Sequence, residues 1–458
     1  MRLSVVILAA GQGKRMRSAL PKVLHRLGGK PLLEHAYRAA RDLRPEQVYV
    51  VYGHGGEQVR DALGYLGAQW IEQDPQLGTG HAVAQALPFI ESGMDAGDTV
   101  LVLYGDVPLM TPETLERVVM ASGGGCLSLL TVELPDPSGY GRIVRNAAGH
   151  VQRIVEDRDA SQVERAIGEV NTGMMAVSAS HLKRWVARLE NQNAQGEYYL
   201  TDVIAMAVAD GIAVEPVSPA SVFEVMGVND RVQLAELERR YQRCQAEQLM
   251  RQGVTLLDPA RFDLRGELQT GQDVVIDVNV VLEGRVRLGD RVTIGPNNWI
   301  RDADIGDDAS ILPNCVIEGA EIGRGARVGP FSRLRPETRL AEEVHIGNFV
   351  EVKKSGVMSG TKINHLSYIG DTEVGRDTNI GAGTITCNYD GANKHKTVIG
   401  DRVFIGSDTQ LIAPVKIGDG ATIGAGTTLT RDAPPGQLTV GRARQTTIAG
   451  WERPKKKR

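Results

Sequence analysis

Residues 276–300 read IDVNVVLEGRVRLGDRVTIGPNNWI, and in them Ile276, Leu282, Leu288, Ile294 and Ile300 stand six positions apart. After five-residue steps the series continues through Ile305, Ile311 and Ile317 and through Ile322, Val328 and Leu334. It recurs at Ile346 and Val352, at Ile363 and Ile369, at Val374 and Ile380, and at Ile399, Ile405, Leu411, Ile417 and Ile423. Neither a helix (period about 3.6) nor an ordinary strand (period about 2) sustains such spacing. A parallel β-helix does, because three short strands and their tight turns close one coil of about 18 residues. The aliphatic side chains then stack along the axis, and the glycines after them, as in Leu288-Gly289 and Ile294-Gly295, permit sharp corners. Two stretches lack the period: 334–344 and 386–398, the latter reading TCNYDGANKHKTV. Insertions in a solenoid project from one side and commonly form its binding face, so both are candidate sites. The repeat alone suits a rigid spacer or an oligomerisation stalk equally well.

The 458 residues exceed a single core and imply two or three domains. With 42% hydrophobic and 24% charged residues the composition is that of an ordinary globular chain. A net charge of −4 argues against nucleic-acid partners. Cys126, Cys244, Cys315 and Cys387 lie far apart, without a CxxC pair or clustered histidines, which argues against disulfides and zinc and fits a reducing cytoplasm. No run approaches the roughly 20 apolar residues of a membrane helix, so no stable membrane insertion is expected. The opening MRLSVVILAAG reads as a buried strand, not a signal peptide. The closing Lys455-Lys456-Lys457-Arg458 reads as a solvated tail.

Residues 1–229 alternate apolar runs at 3–8, 48–51, 99–103, 126–132 and 173–177 with helical patterns at 32–43, 80–86 and 112–120. That alternation predicts an α/β domain with a parallel sheet, whose ligands collect at the carboxyl ends of the strands. Residues 230–252 predict a linker helix with Leu234, Leu237 and Tyr241 as its apolar stripe, Glu236 and Arg240 paired at i,i+4, and Gly253 as its stop.

Two clusters carry chemistry. Leu8-Ala9-Ala10-Gly11-Gln12-Gly13-Lys14-Arg15-Met16 leaves the first strand as a glycine loop that exposes backbone N–H groups to anions. It lacks the Walker pattern and the third glycine of a dinucleotide fingerprint. With Lys14, Arg15 and Lys22 around it, it suits a triphosphate, or is simply a loop with solvated cations. Tyr104-Gly105-Asp106 ends the strand at 99–103, and Asp106 suits a Mg²⁺ beside phosphates as well as an Asx turn before Pro108.

LAAGxGxRM with Pro21-Lys22, Gln73 with Leu77-Gly78-Thr79-Gly80, and Tyr104-Gly105-Asp106 together resemble the sugar-1-phosphate nucleotidyltransferases. Gly139-Tyr140-Gly141-Arg142-Ile143, Val155-Glu156, Asn171-Thr172-Gly173, Glu197-Tyr198-Tyr199-Leu200-Thr201-Asp202 and Gly227-Val228-Asn229 narrow the likeness. With Asn364-His365 and CNYDG in the solenoid, the whole chain resembles the bacterial bifunctional N-acetylglucosamine-1-phosphate uridyltransferase / glucosamine-1-phosphate acetyltransferase family. Lys14 departs from the Thr or Ser usual there, so a hydroxyl contact to phosphate is lost.

The resemblance implies a Rossmann-like α/β nucleotidyltransferase domain at 1–229, a linker helix at 230–252, a left-handed parallel β-helix of hexapeptide repeats at 253–440 and a tail at 441–458. It assigns UTP recognition to Leu8, Ala9, Ala10, Gly11, Gln73, Gly78 and Thr79, with Arg15 and Lys22 on the phosphates. Asp106 and Asn229 would hold Mg²⁺, although the position of Asn229 also suits an N-cap for the linker helix. Tyr104, Gly105, Gly141, Glu156 and Asn171 would meet N-acetylglucosamine-1-phosphate, with Tyr199 and Thr201 nearby.

In the solenoid the resemblance points to Arg335, Lys353, Tyr368 and Asn379 for glucosamine-1-phosphate, and to Ala382, Asn388, Tyr389, Ser407, Ala425 and Arg442 for acetyl-CoA. His365 would be the catalytic base, though a surface histidine is usually inert. A homotrimer is implied as well. The competing readings are a single-activity nucleotidyltransferase with a structural β-helix and a regulatory subunit of an exchange-factor complex.

Overall fold

The computed structural model describes residues 2–11, 13–53, 56–91, 98–454 and 456. Gln12 of the glycine loop and Lys455, Lys457 and Arg458 of the tail lie outside the described residues. The chain divides into two compact units, Met1–Tyr241 and Gln242–Arg458.

The main path of the first unit's sheet runs in the order Val214–Val217, Leu127–Glu133, Glu169–Ser178, Thr99–Tyr104, Leu3–Leu8, Gln47–Gly53 and Gln69–Gln73. Leu3–Leu8 is parallel to both its neighbours, and Val5, Val6 and Ile7 are fully buried, as a strand covered on both faces must be. The helices Leu32–Asp42, Thr79–Glu91 and Pro112–Ala121 fall on the predicted helical patterns.

One strand runs against expectation. The apolar run 173–177 reads as another parallel strand, but Glu169–Ser178 is antiparallel to both Thr99–Tyr104 and Leu127–Glu133. The connection explains the reversal. The chain leaves Leu127–Glu133 into the hairpin Arg142–Arg145/Val151–Val155 and the four-residue helix Gln162–Arg165. Without a long crossover helix to carry it back over the sheet, it re-enters in the opposite direction.

The helix Arg231–Arg251 is capped by Asp230, whose carboxylate accepts the backbone N–H groups of Val232 and Gln233 at 2.9 Å. The Gln233 side chain reaches back to the Asn229 N–H at 2.7 Å. Asp230 rather than Asn229 is therefore the cap, and the Asn229 side chain is left for other work. Leu237 is buried, with Leu234 and Tyr241 packed beside it. Arg240, expected to pair with Glu236, lies over the Phe223 ring, 4.5 Å from its centroid. Gly253 closes the turn with φ +103°.

The second unit is a parallel β-helix. Its axial stack follows the strand register: Ile276, Ile294, Ile311, Val328, Ile346, Ile363, Ile380, Ile405 and Ile423 pair in turn down one face. All are buried and belong to one continuous core. Corner aspartates hold the coils together: Asp290 accepts from Gln272 N and Asp307 from Asp290 N, each at 2.8 Å.

The register corrects the sequence at 334–344. The period is intact there, because Leu340 is buried and pairs in register with Val357. Its neighbours Arg339 and Ala341–Glu343 face outward or lie at the turn, so Leu340 is the one aliphatic residue at the six-residue spacing between Leu334 and Ile346. The interruption at 386–398 is real. Thr386 takes the stack position between Ile369 and Leu411, fully buried, with its hydroxyl accepting Gly370 N–H at 2.8 Å. From Cys387 the chain leaves the coil and returns at Thr397–Ile399.

Candidate functional site

Strand ends build the first site. Leu8 is the last residue of its strand, and the backbone continues beside Val51 and Gly105, with Ala9 N–H bonded to Val51 and Gly105 N–H bonded to Leu8. Gly13 turns with φ +61°, and a Cβ there would lie 2.7 Å from Lys22 Cβ, so only glycine lets the loop close over Lys22. The result is a cavity of about 670 Å³, lined by Leu8–Gly11, Lys14, Arg15, Lys22, Gln73, Gly78, Thr79, Tyr104, Asp106 and Asn229 among others. The structure thus brings together every residue expected to meet UTP or the metal. Gln76, not singled out in the sequence, also lines it and ties Ala10 O to its side chain at 2.7 Å.

Asp106 has no cation beside it in sequence, yet the Lys22 ammonium contacts its carboxylate. The same ammonium lies 3.5 Å from Asn229 Oδ1. A carboxylate and an amide oxygen thus converge on one positive charge, the donor set a hard divalent cation takes.

Gly141, Glu156 and Asn171 do not line that cavity; they adjoin it through Tyr104. Asn171 N–H bonds Gly141 O at 2.8 Å, and Asn171 Oδ1 accepts Gly173 N–H at 2.9 Å. Gly173 has φ +84° and lies flush on Tyr104, where a Cβ would come within 2.4 Å of the ring. Thr201 donates to Glu156 at 3.0 Å. Burial pushes the Glu156 carboxyl above its ordinary range and the Tyr199 phenol up to about 12. Tyr104 is raised too, by burial first and then by Glu156 and Asp106. These walls carry negative charge, which suits sugar hydroxyls as donors.

On the solenoid, Asn348, His365, Ala382, Ser407 and Ala425 occupy one corner on successive coils. Asn348 pairs in register with His365; Gly383 N–H bonds His365 O, Asp408 N–H bonds Ala382 O and Gly426 N–H bonds Ser407 O. His365 Nδ1 lies 2.8 Å from Asn348 Oδ1. An amide oxygen only accepts, so the ring proton sits on Nδ1 and Nε2 keeps its lone pair. On the coils beyond this imidazole stand the small residues Ala382, Ser407 and Ala425, and the Arg442 guanidinium bonds Ala425 O.

Around the next corner lies a cationic cluster. Arg335, directly after the strand Arg333–Leu334, is bonded to Glu351 at 2.9 Å, at a regular corner of the coil and not in an interruption. The Lys394 ammonium beside Lys353 holds it below the usual lysine range, with burial and Arg335 adding. Lys394 comes from the 386–398 excursion and is the functional candidate the sequence reading missed. Asn388 from the same excursion bonds the Asp371 carboxylate, and Tyr389 donates to Gly391 O at 2.6 Å. Tyr368 belongs to this cluster through its interaction with Lys394, whereas Asn379 lies on the His365 face, paired with Lys362.

The MobA-like NTP transferase domain family matches residues 5–172, and the bacterial transferase hexapeptide family matches 302–336 and 396–431. "Bifunctional protein GlmU" of Methylococcus capsulatus is 62% identical over 100% of this chain and 99% of its own. The protein of the same description from Azoarcus sp. is 60% identical, with 100% of both chains covered.

Proposed function

The chain belongs to the family of bifunctional GlmU proteins, and from that premise we propose how its two units divide the chemistry. It is an enzyme that transfers acetyl from acetyl-CoA to glucosamine-1-phosphate and uridylyl from UTP to N-acetylglucosamine-1-phosphate, releasing pyrophosphate.

In the first unit UTP lies along Leu8–Gly11 with its base toward Gln73, Gly78 and Thr79, while Arg15 and Lys22 neutralise its phosphates. The sugar phosphate, held by Gly141, Glu156 and Asn171 beside Tyr104 and Gly105, attacks the α-phosphorus in line. Such a reaction needs positioning and charge neutralisation more than an acid–base pair. Asp106 and Asn229 would supply two oxygen donors to Mg²⁺. Mg²⁺ there would neutralise charge building on the phosphates. Lys22 holds the Asp106 carboxylate until then and exchanges it for phosphate.

In the second unit Arg335, Lys353, Lys394 and Tyr368 receive the phosphate of glucosamine-1-phosphate, whose dianion relieves the crowding of cations, while Asn379 meets the sugar from the His365 face. His365 Nε2 takes a proton from the 2-ammonium. The freed amine attacks the thioester carbonyl, the C–N bond forms and the C–S bond breaks; the nitrogen then gives up a second proton, so that of the two protons it loses one goes to the leaving thiolate and the other passes to solvent. The coenzyme A arm runs down Ala382, Ser407 and Ala425 towards Arg442, with Asn388 and Tyr389 at the acetyl end.

We also place the protein in the cytoplasm as a homotrimer. Its cysteines are free, and among the described residues no helix is long and apolar enough to cross a membrane. Phe331 and Phe349 stack 5.4 Å apart on successive coils with Leu366 next in line, all more than half exposed, a row that a neighbouring copy would cover.

The observation that carries the division of labour is the convergence of Lys22, Asp106 and Asn229 in one unit and of Asn348 and His365 in the other. Asp106→Ala should abolish UDP-N-acetylglucosamine formation and spare acetylation. His365→Ala should lower acetylation by about 10²–10⁴ and spare uridylyl transfer. Either variant losing both activities would defeat the assignment.

A further inference from the structure

Beneath the nucleotide cavity a chain of side chains runs from Gln73 to His81 and Gln85, the last two without a part in the reaction as described. Gln73, the last residue of the strand Gln69–Gln73, is almost fully buried yet lines the cavity. Its amide nitrogen donates to Gly78 O at 2.9 Å and lies 3.2 Å from His81 Nδ1. His81 Nε2 lies 3.0 Å from the side-chain amide of Gln85, one turn along the helix Thr79–Glu91.

The donors and acceptors in this chain have one consistent arrangement. A carbonyl oxygen only accepts, so Gly78 O decides which end of the Gln73 amide is nitrogen. The second N–H of that nitrogen faces His81 Nδ1, which must therefore hold a lone pair. The His81 proton then sits on Nε2. The Gln85 atom nearest it is the nitrogen, and a half-turn of that terminal amide presents its oxygen instead. Turning Gln73 over would set two oxygens against each other at Gly78.

With both Gln73 hydrogens engaged, the only polar atom it offers a ligand is Oε1, an acceptor. A ring N–H can meet an acceptor; a ring nitrogen carrying a lone pair cannot. Uracil has N3–H at its recognition edge, whereas cytosine has a lone pair at N3. Resting on the reading that the UTP base meets Gln73, the geometry points to His81 as the positioning residue for base selection. By engaging the second N–H of Gln73, His81 denies cytosine the donor it needs. His81 itself does not line the cavity.

The test compares UTP with CTP as substrates of the full chain, reading kcat/KM for each in a single preparation. Partial misfolding scales both rates and cancels in their ratio. In the parent, UTP should be favoured at least about tenfold, the worth of one mismatched buried polar group. His81→Phe and His81→Leu, which offer no acceptor, should raise the CTP/UTP ratio about tenfold or more. His81→Gln, which can present an amide oxygen, should restore discrimination. An unchanged ratio in both apolar variants overturns the proposal. Gln73→Leu separates the two layers of the argument. If it leaves the ratio at the parent value, Gln73 does not read the base and the underlying reading fails. If it collapses the ratio while the His81 variants do not, only the role of His81 fails.

Discussion

Asn348→Asp tests the acetyl-transfer site most sharply, because it changes charge while keeping shape. The parent amide oxygen accepts the His365 Nδ1 proton at 2.8 Å and offers no net charge. A carboxylate in its place puts a negative charge roughly 4 Å from the centre of an imidazolium. At that distance the attraction is about 1 kcal/mol in water and about 4 kcal/mol at an effective dielectric of about 20. His365 is exposed and Asn348 half-buried, so the value lies toward the lower end, about 1.4 kcal/mol or one pH unit. The sign follows directly. The added charge favours the protonated ring, the pKa of the base rises, and the acid limb of the pH–rate profile moves to higher pH. Acetyl-transfer kcat, followed by release of the coenzyme A thiol, should fall about tenfold on the acid side and match the parent on the alkaline plateau. The amine of glucosamine-1-phosphate titrates identically with both enzymes, so the difference between profiles isolates His365. Superimposable acid limbs would show that His365 is not the base, or that Asn348 does not orient it.

Chelation of divalent cations should stop UDP-N-acetylglucosamine formation and leave acetylation at its full rate, since the oxygen pair of Asp106 and Asn229 lies only in the first unit; equal loss of both activities would refute this. Lys394→Ala should raise KM for glucosamine-1-phosphate about tenfold with kcat little changed, as expected when a cation contributes equally to ground and transition states; a purely kcat effect in steady-state assays would remove it from the phosphate cluster. Light scattering should give three copies per particle, and a fully acetylating monomer would exclude a site completed between subunits.

The sheet strands and the axial stack were legible because each depends on residues close in sequence. Apolar runs at 3–8 and 99–103 became strands, and the six-residue spacing marked the inward side chains coil after coil. The direction of Glu169–Ser178 was not legible, since an apolar run reads the same for either orientation and the connecting hairpin decides. Leu340 escaped notice because the outward-facing Arg339, Glu342 and Glu343 around it mask the aliphatic position. Thr386 hid a stack position because its hydroxyl is satisfied within the coil, which lets a polar residue stand where an aliphatic one is expected. The cap offered by Asn229-Asp230 could be assigned to either residue until tertiary structure gave it to Asp230 and turned Asn229 towards Lys22.

The two sites also differ in how sequence encodes them. The glycine loop is one contiguous stretch, so its residue types mark it as a candidate anion site while leaving a loop with solvated cations open. What remains hidden there is the closure: Lys22 reaches Asp106 from 84 positions away, a pairing that no local pattern contains. In the solenoid, neighbours in space lie one coil apart in sequence, so Asn348 and His365 are 17 positions apart and yet in direct contact. Register arithmetic from His365 finds Asn348 above it and Ala382 below, a signal present in the sequence once the coil length is known. Asn388 still obeys that arithmetic, 17 positions from the Asp371 it bonds, but the excursion that follows breaks it and carries Lys394 back against Lys353 of an earlier coil. A strictly periodic chain would repeat one surface along its length. The excursion adds Lys394 to Arg335 and Lys353, which the regular coils already place, and so completes the cluster of cations on this face.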